Sequence, residues 1–215
     1  MARYIKMTLR IIAFVFAFGL LHYVLPQHDV VKITSTEIIR MDFSSMNRLF
    51  FAQSDSGSKE LTTRDVRLIN TVKKKTFLLG FFQRDAEGIM VYRNEDTGWI
   101  WPPYFKFDSS NLHAQAASQA RKEADSEGGN WAVITHYGWR IPFLSVFPNA
   151  VDIAPAGGPN PRIIPWFNIF FFGLLLFAFG MVRAMWRQFR ERSVDPLLDN
   201  AGDQLDELQA GVAKK

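Results

Sequence analysis

Two long apolar runs interrupt a chain in which hydrophobic and polar residues otherwise alternate. The second run, 163–182, holds twenty consecutive residues without a charge. Twenty helical residues extend about 30 Å, the thickness of the hydrocarbon core of a bilayer. Trp166 lies near its start, and the basic residues that follow it are Arg183, Arg187, Arg190 and Arg192. Because an interfacial Trp and a cytoplasmic basic flank are typical of transmembrane helices, we predict that this run spans a membrane rather than forming the central helix of a soluble domain.

The first run, 11–25, is shorter and contains His22. The helix could span more of the membrane than these fifteen residues alone, because Lys6 and Arg10 can reach the inner membrane interface while Tyr23 suits the outer one. A basic start before a short apolar core also fits a cleaved signal peptide. The residues that follow the run, LPQH, lack the small side chains of a cleavage site. We therefore predict an uncleaved signal anchor.

The placement of charge predicts the orientation of both spans. Segment 1–10 carries basic residues and no acid, and segment 183–192 carries four arginines against one glutamate. By the positive-inside rule, both termini are then cytoplasmic. This leaves an extracytoplasmic domain at 26–153, a Pro- and Gly-rich linker at 154–162, and a cytoplasmic basic flank with an acidic tail at 183–215.

Alternation of β-branched and polar residues predicts strands in the middle domain. The predicted strands are 30–40, 65–72, 76–82, 88–92 and Trp131–Tyr137. The second and third are expected to form a hairpin around Lys73, Lys74 and Lys75. These lysines are expected to be solvated, or to meet anionic lipid headgroups or an acidic partner.

One helix is predicted between the strands. It covers 109–127, with Asp108 or one of the two serines after it as the N-cap and with Gly128 and Gly129 at its end. No helical crossover separates the first strands, which favours antiparallel pairing. The predicted fold is a membrane protein with two transmembrane helices flanking an α+β, mainly antiparallel-β extracytoplasmic domain with one helix.

Composition removes several classes of function. The 215-residue chain has a formal net charge of +4, but segment 26–162 holds 16 basic and 15 acidic residues. The basic excess therefore lies at the membrane flanks, and we expect no nucleic-acid surface. Cysteine is absent, which excludes disulfides, thiol catalysis, iron–sulfur clusters and thiolate zinc sites. The middle domain must then be stabilised by its core alone.

Residues suited to catalysis are few. Glu95, Asp96 and Asp108 flank an aromatic segment and could act as a carboxylate pair, although RNEDTG has the composition of a turn. No histidine pair has helical ligand spacing, so a metal site would require folding to join His28, His136 and a carboxylate. No GxSxG, SxxK or Gly-rich phosphate loop is present. We therefore predict no catalytic residue, cofactor or metal ligand.

Aromatic residues are concentrated in the second half of the middle domain, where ten lie between residues 99 and 147. Most are expected in the core, since each can cover about 150–250 Å². Their number exceeds what a sheet core requires, so part of this surface is expected to contact another protein or the outer membrane leaflet. The candidate interface residues are Trp99, Trp101, Tyr104, Trp139 and Phe143, together with Gly173 and Gly180 on one face of the second span.

Four stretches carry a resemblance to a known family. They are LHYVLPQHDVVKI, TRDVRLINTV, RNEDTGWIWPPYFKFDSSNLHAQA and HYGWRIPFLSVFPNA. They lie within residues 20–153 and resemble the DUF1523 family of membrane-associated proteins from α-proteobacteria. The family name carries no activity, so the resemblance implies a bacterial source and little more.

Two functions remain open. The first is a non-enzymatic accessory or assembly subunit of a bacterial inner-membrane complex, such as a respiratory or photosynthetic one, with membrane lipids and an integral membrane protein as partners. The second is a membrane-anchored periplasmic sensor or hydrolase, which requires Glu95, Asp96, Asp108, His113 and His136 to converge. We favour the first because no catalytic constellation is present. The sequence does not predict whether the chain forms a homo-oligomer.

Overall fold

The computed structural model describes residues 2–43, 46, 50–51, 63–77, 82–99, 102–122, 130–198, 200 and 202. The chain divides into two compact units, Met1–Pro165 and Trp166–Lys215. The first unit contains an N-terminal helix and a β-barrel, and the second contains a long C-terminal helix.

The chain begins with α1 (Ala2–Val24), which starts well before the predicted apolar run. Most of its side chains are exposed, and the helix is long and apolar enough to cross a membrane. Only Leu25 and Pro26 separate it from the first strand. Because proline cannot donate a backbone hydrogen bond, Pro26 marks the point at which the helix gives way to extended chain.

Five strands form a closed barrel. They are β1 (Gln27–Asp42), β2 (Thr63–Phe77), β3 (Phe82–Arg93), β4 (Trp131–Tyr137) and β5 (Asn149–Pro155). Their order around the barrel is β1-β2-β3-β5-β4, and β4 pairs with β1 to close it. The pairs are antiparallel except for β3 and β5, which run parallel and meet at Arg93 and Asn149.

This closed, mixed barrel shows that the predicted antiparallel sheet is wrong. The first three strands do pair antiparallel, as the absence of a helix between them predicts. The chain then passes through α2 (Ser109–Ala120) and β4 before β5 returns beside β3. Such a crossover brings two strands together in the same direction. The strand order, with a helix between β3 and β4, is that of the five-stranded Greek-key barrels called OB-folds.

Alternate strand residues point into the barrel and form its core. Each fully buried Val, Leu or Ile contributes about 1.5–3 kcal/mol relative to exposure. α2 packs against the barrel through Leu112 and Ala116. The strand residues of this core are Val31, Ile33, Ile69, Tyr92, Ala132, Ile134, Ala150 and Ile153.

The prediction that the lysine run forms the tip of a hairpin is wrong. β2 continues through Lys73 and Lys74 to Phe77, so it crosses the break expected between two strands. The Lys73 ammonium lies 2.7 Å from the carboxylate of Asp29, a buried residue of β1. Because Asp29 of β1 compensates the charge of Lys73, β2 can continue through the lysine run. The sequence around the lysines does not reveal this partner.

β5 was not predicted as a strand, because Pro148 directly precedes it and Pro155 ends it. Proline is tolerated at strand ends, where no ladder hydrogen bond is needed from its nitrogen. The strand also includes Ala154, so the linker begins after Pro155 rather than at residue 154.

α2 begins as predicted, since the Asp108 carboxylate accepts a hydrogen bond from the Asn111 amide at 3.2 Å. The helix ends at Ala120, earlier than predicted. The glycines expected to end it, Gly128 and Gly129, lie outside the described residues.

The second unit contains α3 (Trp166–Phe189), which starts slightly later than the predicted span. The helix continues through a π-helical turn (Arg190–Val194) to Leu198. In this turn Arg190 Nε lies 3.1 Å from Asp195, the i, i+5 spacing that a π-helix brings together. From its length and composition, this helix too could cross a membrane.

Candidate functional site

The last turn of α1 is held directly by the barrel. A helix leaves its final carbonyl groups without intrahelical partners, so they need donors from elsewhere. Three such donors come from the first unit: Gln27 Nε2 to His22 O (2.9 Å), the Gly138 amide to Tyr23 O (2.9 Å) and the Tyr104 hydroxyl to Val24 O. The helix and the barrel therefore have a fixed relative orientation.

Five rings surround this joint, and we call them the aromatic collar: His22, Tyr23, Tyr104, Tyr137 and Trp139. Tyr23 meets Trp139 edge-on at 5.3 Å between centroids, and Tyr104 stacks on Tyr137 at 4.7 Å. The Trp139 indole donates to His22 Nδ1 at 3.0 Å. Burial raises the pKa of Tyr104 and of Tyr137, so both hydroxyls remain protonated donors at neutral pH.

A buried cluster of charges lies next to the collar. Arg93 is 1% exposed, and its Nε lies 3.5 Å from one oxygen of Glu95. The other Glu95 oxygen lies 2.9 Å from Arg64, and the Arg93 guanidinium also interacts with the Tyr137 hydroxyl. Removing one partner from such a cluster leaves an uncompensated buried charge, which is costly. The cluster therefore favours one arrangement of the loops around the end of α1.

The loop between β3 and α2, 94–108, displays three aromatic rings to solvent. Trp99 is 80% exposed, and its ring centroid lies 5.0 Å from Phe105 and 6.2 Å from Phe107. Phe105 has a φ of 52°, in the left-handed region. A non-glycine residue held there costs on the order of 1–3 kcal/mol, and such strain is concentrated at functional sites.

The base of this loop is held together by hydrogen bonds. The amides of Thr97 and Gly98 donate to the Lys106 carbonyl at 3.1 and 3.0 Å. The Lys106 ammonium is buried and donates to Asn94 and to the Ala150 carbonyl. The loop thus directs its lysine inward and its aromatic rings outward.

The loop between β4 and β5, 138–148, displays Phe143, which is 84% exposed. Phe143 lies in a 3-10 turn (Pro142–Leu144) that ends at Ser145, which has a φ of 53°. The same loop supplies Trp139 to the collar.

Both loops contact the end of α1, and we call them the aromatic loops. Within the described part of the barrel, they carry all of the exposed aromatic side chains: Trp99, Phe105, Phe107, Trp139 and Phe143. Among the described barrel residues, exposed aromatic side chains therefore occur in the two loops that contact α1.

A second polar group lies inside the barrel. The buried Asp29 carboxylate accepts hydrogen bonds from the Tyr92 hydroxyl at 2.6 Å and from His136 Nε2 at 2.9 Å. It also pairs with Lys73, so one carboxylate joins four strands. Among the described residues, His136 Nδ1 has no hydrogen-bond partner. We call these four residues the Asp29 network.

Burial by itself raises the pKa of Asp29, but the hydrogen bond and charge of His136 and the charge of Lys73 outweigh it. They hold the pKa of Asp29 well below its usual range. Burial and the adjacent Asp29 charge raise the pKa of Tyr92. Asp29 is therefore ionised and Tyr92 protonated at neutral pH, which suits joining strands better than transferring protons.

The residues of the predicted sensor or hydrolase site have separate partners. Glu95 pairs with arginines, and Asp96 accepts hydrogen bonds from the amide and hydroxyl of Ser109 at 2.7 and 3.1 Å. Asp108 caps α2, and His136 belongs to the Asp29 network. His113 lies on α2, where burial and then the charge of Arg67 lower its pKa. No group of three or more potential metal ligands occurs in the described ranges.

The predicted interface residues of the barrel lie in the aromatic loops. Trp99 and Phe143 are strongly exposed. Tyr104 is half-buried and Trp139 is 36% exposed, because both belong to the collar. Trp101 lies outside the described residues.

The two predicted interface glycines, Gly173 and Gly180, lie on α3. A Cβ added at either position would meet no atom within 4 Å. Their contact with a neighbouring helix stays a prediction.

Sequence reasoning missed the buried polar contacts of Asp29, Tyr92 and Arg93. Asp29 has the same parity as Val31 and Ile33, which point into the barrel. Strict use of the strand period places this carboxylate in the core and implies a buried partner for it. No comparable local signal marks Arg93, since it ends a strand next to a polar turn.

The structure can be set beside known proteins. The family model described as "Protein of unknown function (DUF1523)" matches residues 2–190, a longer region than the resemblance covers. An uncharacterized protein of Haemophilus influenzae is 34% identical over 190 residues, covering 85% of this chain and 96% of its own length. No solved structure matches significantly. The α-proteobacterial source stays a prediction. On these matches, the chain belongs to the DUF1523 family.

Proposed function

We propose that this protein is a non-enzymatic accessory or assembly subunit of a bacterial inner-membrane complex. It presents the aromatic loops to an integral membrane protein at the periplasmic surface. The observation that carries the proposal is the seating of the barrel on the last turn of α1, which sets both aromatic loops beside the end of that helix.

The two apolar helices support a membrane location. Large apolar side chains such as Phe14, Phe16 and Phe177 are exposed, and burial of apolar surface is favoured by about 25 cal/mol per Å². Lipid supplies that burial along a whole helix. The basic residues before α1 and after α3 favour cytoplasmic termini, which puts the barrel in the periplasm.

The rigid joint supports a positioning role. A flexible linker would let the barrel turn freely above the membrane. Here only two residues connect α1 to β1, and the barrel supplies donors to the last carbonyls of the helix. This joint supports our proposal that the aromatic loops keep a defined position relative to the bilayer.

The use of the charged groups favours a non-enzymatic role. The acidic side chains of Asp29, Glu95, Asp96 and Asp108 all make contacts that hold elements of the barrel together.

The exposed rings indicate the kind of partner. Trp and Phe are enriched in protein interfaces, and strongly exposed rings next to a membrane suit a contact at the membrane–water boundary. The strained Phe105 fits such a role, because its ring gains little burial within this chain.

Site-specific photo-cross-linking in native membranes tests the proposal. A photoreactive phenylalanine analogue is placed at Trp99 or Phe143 of the full-length protein, and cross-linked products are identified by mass spectrometry. We expect the same integral membrane protein from both positions.

Ile89 is the matched control, because this β3 side chain is 88% exposed but lies outside the aromatic loops. It should give no such product. Lipid adducts alone at Trp99 and Phe143, or identical products at Ile89, would contradict the proposed interface.

A further inference from the structure

The helix of the second unit carries a row of positive charge on one side. Arg183, Arg187 and Arg190 are spaced four and three positions apart, and residues at these spacings lie on the same face of a helix. We call these three residues the arginine stripe. The π-helical turn begins at Arg190, so it changes the spacing only beyond the stripe. Arg192 lies nine positions from Arg183, about two and a half turns, which puts it on the opposite side of the helix.

The charge of the stripe is exposed and only partly compensated. All three arginines are exposed. Among the residues that the structure describes, Arg183 has no ion-pair partner. Arg187 lies 3.9 Å from Glu191, and Arg190 lies 3.1 Å from Asp195. Pairs as exposed as these bind weakly, because water and salt screen the attraction. The stripe therefore keeps a net positive charge that is available to a ligand.

The stripe begins where the apolar part of α3 ends. Val182 is the last residue of the uncharged run, and Arg183 follows it directly. The rings of Trp186 and Phe189 lie 5.9 Å apart in the same two turns, and Trp is enriched at the membrane–water interface. From Arg183 to Arg190 the helix rises about 10.5 Å, whereas the headgroup layer of one leaflet is about 5–8 Å thick. With α3 across the membrane, the stripe passes through the whole headgroup layer.

The chemistry of the stripe matches the phosphate groups of that layer. A guanidinium group is planar, always charged and rich in N–H donors, so it binds phosphate oxygens in pairs. In phosphatidylcholine, a quaternary ammonium group accompanies each phosphate and is repelled by a row of arginines. In phosphatidylglycerol, no cation accompanies the phosphate. Clusters of basic residues directly beyond a membrane span are accordingly attracted to anionic lipids.

We propose that the arginine stripe binds the headgroups of anionic phospholipids. The inference rests on the proposed function in one respect, namely that α3 spans the membrane. Free phosphate and acidic protein segments carry chemistry that a guanidinium also recognises. The position of the stripe favours lipid, because the layer directly beyond the apolar run is where lipid phosphates are concentrated. Lipid bound there would oppose movement of α3 along the membrane normal.

Native mass spectrometry of the full-length protein in mild detergent tests this. Phosphatidylglycerol and phosphatidylcholine with identical acyl chains are added in equal amounts, and the ratio of the two retained lipids is measured. The wild type should retain more phosphatidylglycerol. Arg183→Gln and Arg187→Gln should each lower the ratio about fivefold, since each removes one cation from the stripe. Arg192→Gln is the matched control, because it removes the same charge from the opposite side, and it should keep the wild-type ratio.

Equal retention of the two lipids by the wild type would overturn the proposal. Equal losses in Arg192→Gln and Arg183→Gln would also overturn it, because net charge and not the stripe would then select the lipid. Glutamine is a good helix former, so these variants should keep the helix, which circular dichroism checks.

A second arm separates lipid from free phosphate. Millimolar inorganic phosphate, added at constant ionic strength, should leave the retained phosphatidylglycerol in place. Its displacement would identify a site for free phosphate and overturn the assignment to lipid. None of these results affects the cross-links expected at Trp99 and Phe143. A protein that needs no detergent would instead contradict membrane anchoring, and with it the proposed function.

Discussion

At the scale of single residues, the clearest feature is an ionised carboxylate inside a barrel. Asp29 is buried, and a charge without partners there would cost several kcal/mol. Tyr92, His136 and Lys73 each contribute one contact to it, from three different strands. These contacts make the carboxylate a link between strands, and a variant without the charge should weaken the barrel.

Asp29→Asn preserves the shape of the side chain but removes its charge. Lys73 and His136 then lose their anionic partner, which should cost about 3 kcal/mol. The apparent unfolding temperature of the full-length protein in mild detergent should fall by about 6–12 °C. Asp152→Asn, at an exposed position on β5, is the control and should change it by less than about 2 °C.

We also expect the stability of the wild type and that of Asp29→Asn to depend differently on pH. The pKa of Asp29 is depressed in the folded state, whereas in the unfolded chain it is about 3.9. At pH values between these two, the unfolded chain therefore binds more protons than the folded protein. The stability that Asp29 contributes is therefore complete at pH 7 and is lost as the pH falls below about 4. Unfolding temperatures measured from pH 7 to pH 3 should fall less steeply in Asp29→Asn than in the wild type. Parallel curves would contradict an ionised Asp29.

At the scale of elements, the important feature is the direct transition from α1 to β1. Gly138 has a φ of 91°, which side-chain-bearing residues rarely adopt. In this conformation its amide reaches the Tyr23 carbonyl, so the β4–β5 loop caps the helix. The conformation of one loop residue thus helps to hold α1 on the barrel.

Gly138→Ala should destabilise this joint by about 1–2 kcal/mol, mainly through backbone strain. The added Cβ meets its nearest neighbours at 3.6 Å, which is ordinary contact. Hydrogen exchange followed by mass spectrometry should show faster exchange in the last turn of α1. Gly157→Ala is the control, because nothing lies within 4 Å of its Cβ, and it should leave that exchange unchanged. Equal protection in both variants would show that the loop does not hold the helix.

At the scale of the whole molecule, the central feature is a barrel whose exposed aromatic residues, within the described part of the chain, lie on the two loops that contact α1. A barrel dissolved freely in water would gain nothing from this distribution, whereas one held at a membrane surface can use it for contact with a neighbour. The proposed function therefore depends on which side of the membrane the barrel occupies.

Single-cysteine labelling tests this arrangement, since the natural chain contains no cysteine. Ser110→Cys, at an exposed position of α2, should react with a membrane-impermeant maleimide in intact spheroplasts. Ser193→Cys, exposed after the second apolar helix, should react only after lysis. Labelling of both positions before lysis would contradict cytoplasmic termini on a two-span protein.

Local physics explains what was predictable. A helix satisfies its own backbone hydrogen bonds, so an uninterrupted apolar run is enough to predict α1 and α3. The Asp108 cap and β4 likewise depend on neighbouring residues along the chain. The aromatic segments were recognised by composition, which also pointed to Trp99 and Phe143 as candidates for an interface.

The amino-acid sequence by itself determined two apolar helices, a β-rich domain between them and the absence of any familiar catalytic motif. Only the tertiary structure decided that the sheet closes into a mixed barrel, that Lys73 pairs inside it and that α1 is fixed to it. The physical reason is the distance along the chain between the residues that meet. His136 and Asp29 are 107 positions apart, and Tyr104 caps a carbonyl 80 positions before it. Periodicity describes neighbours along the chain, whereas closure, charge compensation and capping depend on residues that folding brings together.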